Sequence, residues 1–152
     1  MASQCFRKST RRSGSRVRPI AIDTNAYVAF KRGDSAMIEV LRHAPEILVS
    51  VTVLAELLAG FAAGTREAVN RRELTLFLGS PRARLVASTA ATADIYALVY
   101  AALRRKGTPI PCNDLWIAAS ALEHGVALLT LDAHFSQVGG LRTGACLDAF
   151  LP

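Results

Sequence analysis

Four short apolar runs recur along the chain: "PIAID" at 19–23, "EILVS" at 46–50, "ARLVAS" at 83–88 and "VALLT" at 126–130. Runs this brief and this apolar suit strands buried on both faces. Each is separated from the next by sequence that reads as helix. Strands alternating with helices fold as a mostly parallel sheet covered on both sides. The predicted class is therefore α/β, a sandwich around a central sheet of four or five strands. The fifth, an edge strand, would come from "TGACLDAFLP" at 143–152. With 152 residues the chain has room for one domain with a sizeable core, and no internal repeat is visible.

The helices carry their own stop and start signals. "TNAYVAFKRG" follows the first strand and ends at Gly33, and Asp34 is placed to cap "SAMIEVLRHA", which ends before Pro45. "VTVLAELLAGFAAG" at 51–64 is apolar on nearly every face and is expected to be buried. Thr65 is expected to cap the polar helix that follows. A long helix over 89–107 ends in Arg104, Arg105 and Lys106 before Gly107. Cations there suit the helix dipole and glycine suits the stop; that reading of the basic triplet ranks ahead of an RNA-binding patch. "CNDLWIAASALEHG" at 112–125 is one more apolar helix, with a lone acid near its front.

The net charge is +6, and its location matters more than its size. Six of the basic residues, Arg7, Lys8, Arg11, Arg12, Arg16 and Arg18, fall in the first 18 residues, which hold no acid. The remainder carries twelve charges of each sign, so the basic balance says little about the folded part. The Ser/Arg-rich segment 1–18 is expected to be a disordered basic tail ahead of a domain over 19–152. It lacks the apolar core of a signal peptide. Its alternatives are an RNA-gripping arm, or a natural start near Val17 that an N-terminal mass including Met1 would refute.

Cys5, Cys112 and Cys146 are far apart and odd in number, which speaks against a disulfide framework or a structural zinc site. A reducing cytoplasm fits best. The most apolar long stretch, 47–65, has Glu56 at its centre. A charge there costs about 2.5–3.5 kcal/mol in a membrane, so no membrane association is expected.

Four acids stand isolated in apolar sequence: Asp23, Glu56, Asp114 and Asp132. Asp23 and Asp132 follow strands, Glu56 lies just after the second strand, and Asp114 opens the helix before the fourth. In an open α/β sheet, ligands bind outside the carboxyl ends of the strands, so all four are expected near one rim. Singly, each has an ordinary reading: Asp23 as a helix cap, Glu56 as an exposed or Arg-paired helix residue, Asp114 as a first-turn acid, Asp132 as a turn residue. Together they would repel unless a cation intervenes. Mg²⁺, with Mn²⁺ as an alternative, prefers such oxygen donors, and the chemistry such a site supports is phosphodiester hydrolysis. His43, His124 and His134 show no ligand spacing; a surface or packing role is favoured for His134, although it stands close to Asp132. Trp116 and Tyr96 are expected as core or dimer contacts rather than base-stacking platforms.

"IDTN" after the first strand, the lone Glu in "LAELLAG", and "NDLWIAASALEHG" running into "LLTLDAHF" resemble the PIN-domain ribonucleases, most of all the VapC toxins of bacterial VapBC toxin–antitoxin pairs. The resemblance spans about Ile20 to Phe150, and the order and spacing of the four acids agree with it. It implies a PIN-like α/β/α fold and an acidic site of Asp23, Glu56, Asp114 and Asp132. Asp23 and Asp114 would bind Mg²⁺ directly; Glu56 and Asp132 would do so directly or through water. Thr24, Asn25 and Thr130 match the polar residues that buttress the acids. The resemblance further implies an endoribonuclease that cuts structured RNA (tRNA or rRNA) with a metal-activated water and so inhibits translation. A homodimer and a cognate VapB-type antitoxin are its implied partners.

Other readings of the residues are a haloacid-dehalogenase-type phosphatase, a non-catalytic RNA-binding or protein-interaction module, and a DNA or flap nuclease. The first needs a second Asp where Asn25 stands. The second is disfavoured because unused acids would repel RNA phosphates. The third usually carries a helical clamp for which this chain is short.

Overall fold

The structure is a computed structural model that describes residues 17–152. The segment 1–18 read as a basic tail therefore lies outside the described residues except for its last two, and of these Val17 is buried in the core.

Five strands form one sheet: β1 (Ile20–Ile22), β2 (Ile47–Ser50), β3 (Ala83–Val86), β4 (Ala127–Leu129) and β5 (Thr143–Gly144). Their order is β3-β2-β1-β4-β5, and every pairing is parallel. Six helices flank it: α1 (Thr24–Lys31), α2 (Ser35–His43), α3 (Val51–Ala63), α4 (Glu67–Leu78), α5 (Ala90–Lys106) and α6 (Cys112–Glu123). This is the expected α/β/α sandwich. β1, central and paired on both edges, is apolar and buried at every position. Edge strand β3 exposes Arg84 and Leu85.

The connections run outward in two directions. From β1 the chain winds through β2 to β3; it then returns to the other side of β1 as β4 and continues to β5. The winding therefore reverses between β1 and β4. That reversal marks the place, beyond the strand carboxyl ends, at which doubly wound sheets bind ligands. Residues Asp23 and Asp132 flank it, one after each of those two strands.

Several local expectations hold. The Asp34 carboxylate accepts the Met37 N–H at 3.0 Å and caps α2, and Gly107 ends α5 in the left-handed region at φ 76°. Two do not. Thr65 makes no cap: α4 begins after Arg66 and has no side-chain cap bond. Only Val53 and Leu57 of α3 are buried, with Val51 42% exposed. The outward side of α3 is largely Ala and Gly, whose apolar character shapes a hydropathy reading but demands little burial. Tyr96 packs against the core edge and tilts onto half-buried Trp116 at 4.6 Å between ring centroids. Among the described residues no helix is long and apolar enough to cross a membrane.

The last strand is held by a tight approach. A methyl added at Gly144 would lie 2.3 Å from Ala149 Cβ and 3.1 Å from the buried Phe150 ring. Gly144→Ala must therefore push the C-terminal turn off the sheet. The expected cost is about 1–3 kcal/mol, read as a lower urea midpoint; an unchanged midpoint would show that this turn is free to move.

Candidate active site

The chain after β1 turns on Asp23. Its extended backbone lets one carboxylate oxygen accept the Ala26 N–H at 2.7 Å, capping α1. The other oxygen accepts the Thr130 hydroxyl in a very short bond, and the Asp23 N–H donates to the Leu129 carbonyl of β4 at 3.1 Å. Asp23 is only 3% exposed. Burial pushes its carboxyl above the ordinary 3.8; the bonds from Thr130 and Ala26 pull it back, and Asp132 and Asp114 push it up again.

Thr130 ties this acid to the next. While donating to Asp23, its hydroxyl oxygen accepts the Asp132 N–H at 2.9 Å. Asp132 then accepts the His134 N–H at 2.9 Å and starts a 3-10 turn over Ala133–Gln137. Phe135, 1% exposed, nails that turn to the core; burying a phenyl ring stabilises by about 1.5–3 kcal/mol.

Glu56 comes from the second turn of α3, a helix whose start is capped by Ser50. One of its oxygens accepts the Thr24 hydroxyl at 2.7 Å and the other the Asn113 amide at 3.4 Å. Three helices thus fix one carboxylate. Asp114 lies in the first turn of α6 and is half-buried. It accepts no cap bond, because α6 starts after Pro111 with no side-chain cap. Burial, then Asp132 and Glu56, raise its carboxyl above 3.8, with His134 acting the other way.

The structure brings Asp114, Asp132 and His134 closest, with one donor atom from each lying within 4.8 Å of the others. The His134 Nδ1 stands 3.2 Å from Asp132 and 3.6 Å from Asp114. Asp23 and Glu56 lie outside that tight group yet near enough to feel it: Asp132 and Asp114 raise the Asp23 carboxyl, and Glu56 raises that of Asp114. His134, given a surface or packing role from sequence, is exposed but borders two of the acids, so the cluster is not purely acidic. Asn25, expected to buttress the acids, is exposed and makes no side-chain hydrogen bond among the described residues. The amide that reaches an acid is that of Asn113.

No Lys or Arg bonds any of these four carboxylates among the described residues. Hydroxyl and amide donors orient Asp23 and Glu56 without neutralising them, and Asp114 and Asp132 meet beside His134. This donor set fits a hard divalent cation, which favours carboxylate and water oxygens. A single imidazole at its edge does not make it a zinc site.

The profile of the PIN-domain family matches residues 20–141. Ribonuclease VapC4 of Mycobacterium tuberculosis is 32% identical over 90 residues, covering 59% of this chain and 69% of that protein. The structure of VapBC2 from Rickettsia felis bound to a promoter DNA fragment superposes with a TM-score of 0.73 at 25% identity, over 83% of this chain and 97% of the matched one. FitAcB from Neisseria gonorrhoeae gives 0.68 at 26% identity, over 78% and 91%.

Proposed function

Because the chain belongs to the PIN-domain family, we propose that it is a Mg²⁺-dependent endoribonuclease and the toxin of a VapBC-type toxin–antitoxin pair. One observation carries the reading: carboxylates from four separate segments gather at the reversal point of a parallel sheet, unpaired with any Lys or Arg among the described residues. Its relatives support it, since one is a ribonuclease and another is a VapBC complex.

In this reading Asp23 and Asp114 hold the ion directly, and Glu56 and Asp132 hold it directly or through water; Mn²⁺ can replace Mg²⁺. When bound, the ion lowers the pKa of water and offsets charge on the phosphate. The protein's own part is orientation. Thr130 and the Ala26 N–H keep the buried Asp23 fixed and favour its charged form. Thr24 and Asn113 aim Glu56. Thr130 also sets the turn that presents Asp132. Water attack in line with the 3′ leaving oxygen breaks the P–O3′ bond and leaves 5′-phosphate and 3′-hydroxyl ends.

The substrate is a structured RNA, tRNA or rRNA, whose cleavage inhibits translation in the cytoplasm. Residues 19–152 act as the PIN domain, with 1–18 a basic extension. A VapB-type antitoxin restrains the enzyme, and a second copy forms a homodimer.

Total cellular RNA incubated with the purified, antitoxin-free chain and Mg²⁺ should yield discrete fragments with those ends. Ends bearing 2′,3′-cyclic phosphate would refute the hydrolytic route. An inert but well-folded protein would move weight to a non-catalytic binding module.

A further inference from the structure

Helix α1 connects the acids to a second feature. Asn25, Val28, Ala29 and Arg32 recur at helical spacing and, with Leu131, line an open trough. Asn25 lies two residues from Asp23 and Leu131 adjoins Asp132, so one end of the trough opens at the acids. At the other end Arg32 also borders a groove of about 370 Å³ between α1, α3 and α4, shared with Tyr27, Phe61, Arg66 and Asn70. From Asp23 to Arg32 the helix advances about 13 Å, at roughly 1.5 Å per residue.

The charges along this path are unequal in their freedom. Asp34, which also lines the trough beside Arg32, accepts the Met37 N–H at 3.0 Å as the cap of α2. Lys31 is engaged with Glu73 at 3.3 Å. Arg32 and Arg66 are exposed and make no ion pair or side-chain hydrogen bond among the described residues. A free guanidinium on a groove wall binds phosphate through paired N–H donors. Beside them Tyr27 is 3% exposed, and its hydroxyl has no hydrogen-bond partner. Burial first, and Glu73 second, push that hydroxyl up to about 12, so it stays a donor. An unpaired buried donor is a cost, and a ligand seated in the groove can supply the missing acceptor.

We infer that this face of α1 is the track along which the RNA strand leaves the acids, with Arg32 and Arg66 as its phosphate anchors. The inference rests on the ribonuclease reading above. A polyanion laid over four carboxylates is repelled, and cations farther along the same strand offset that repulsion. An acidic protein segment would also satisfy the two arginines, but it would gain nothing from a trough that opens onto carboxylates. RNA must cross them to be cut.

The test uses the full chain carrying Asp114→Asn, so that RNA is bound but not cut. The probe is a fluorescein-labelled single-stranded RNA of mixed sequence, titrated by anisotropy over a range of KCl. Arg32→Ala and Arg66→Ala should each weaken binding roughly tenfold and reduce the slope of log affinity against log salt by about 0.7. Arg72→Ala, on α4 but outside the groove, should change neither. In the otherwise unaltered chain the two groove variants should raise KM more than they lower kcat. Unchanged affinity and slope, with the parent chain still cleaving RNA, would overturn the track and leave the ribonuclease reading intact. Unchanged RNA affinity with weakened antitoxin binding would reassign the groove to the protein partner. A parent chain that neither binds nor cleaves RNA would remove both readings.

Discussion

Asp114→Asn should lower RNA cleavage by roughly a hundred- to a thousandfold while leaving the fold intact. The scale is that of deleting one group that stabilises charge at a reacting centre. The expectation of an intact fold comes from what Asp114 touches. It accepts no helix-cap bond, and its polar contact is with the exposed His134. Asparagine keeps the shape and removes only the charge. That charge is disfavoured where it stands, since burial, Asp132 and Glu56 all act against it, so the variant should unfold no earlier than the parent. Asp23→Asn is a less clean probe. Asp23 caps α1 and receives Thr130, and its loss mixes a structural defect with a chemical one. Turnover of a labelled RNA, beside circular dichroism and a thermal melt, separates the two effects for Asp114→Asn. Full activity in that variant would sink the assignment of the site.

Much of this site was legible because a parallel sheet converts chain order into position. Asp23 and Asp132 each follow an apolar run, and the carboxyl ends of parallel strands lie at one edge, so period and burial alone placed both. Glu56 was reachable as the lone charge of an apolar helix, and Asp114 as the lone acid at the front of another. What stayed hidden depends on contacts between elements distant in sequence. The choice of Asn113 over Asn25 as a partner of an acid turns on how α6 packs beside α3, with 57 residues between Glu56 and Asn113. His134 was discounted for want of ligand spacing, yet the tight turn begun by Asp132 folds its ring back toward the acids. The burial of α3 was overestimated for a different reason: small apolar residues raise hydropathy without requiring a partner surface.

The carboxylates also make a prediction about stability that does not depend on cleavage. In protein freed of metal by EDTA, Asp23 and Asp114 hold their protons to higher pH in the folded chain than the ordinary 3.8. Above 3.8 the unfolded chain has released protons that the folded chain retains. The contribution of these two groups is therefore complete at low pH and is lost as pH rises through their raised folded values. Their repulsion is then fully expressed at neutral pH, where Mg²⁺ should relieve it. Saturation at about a hundred times Kd adds roughly 2.7 kcal/mol, which for a domain of this size raises Tm by about 5–10 °C. Cleavage should vanish in EDTA and return with Mg²⁺ or Mn²⁺. Asp114→Asn should shrink both the Tm rise and the pH-dependent loss, because one of the two repelling charges is gone. A Tm indifferent to Mg²⁺, together with cleavage that survives EDTA, would mean the acids do not gather to hold an ion. The bonds of Thr24, Thr130 and Asn113, with His134 between Asp114 and Asp132, would then be what lets them sit together.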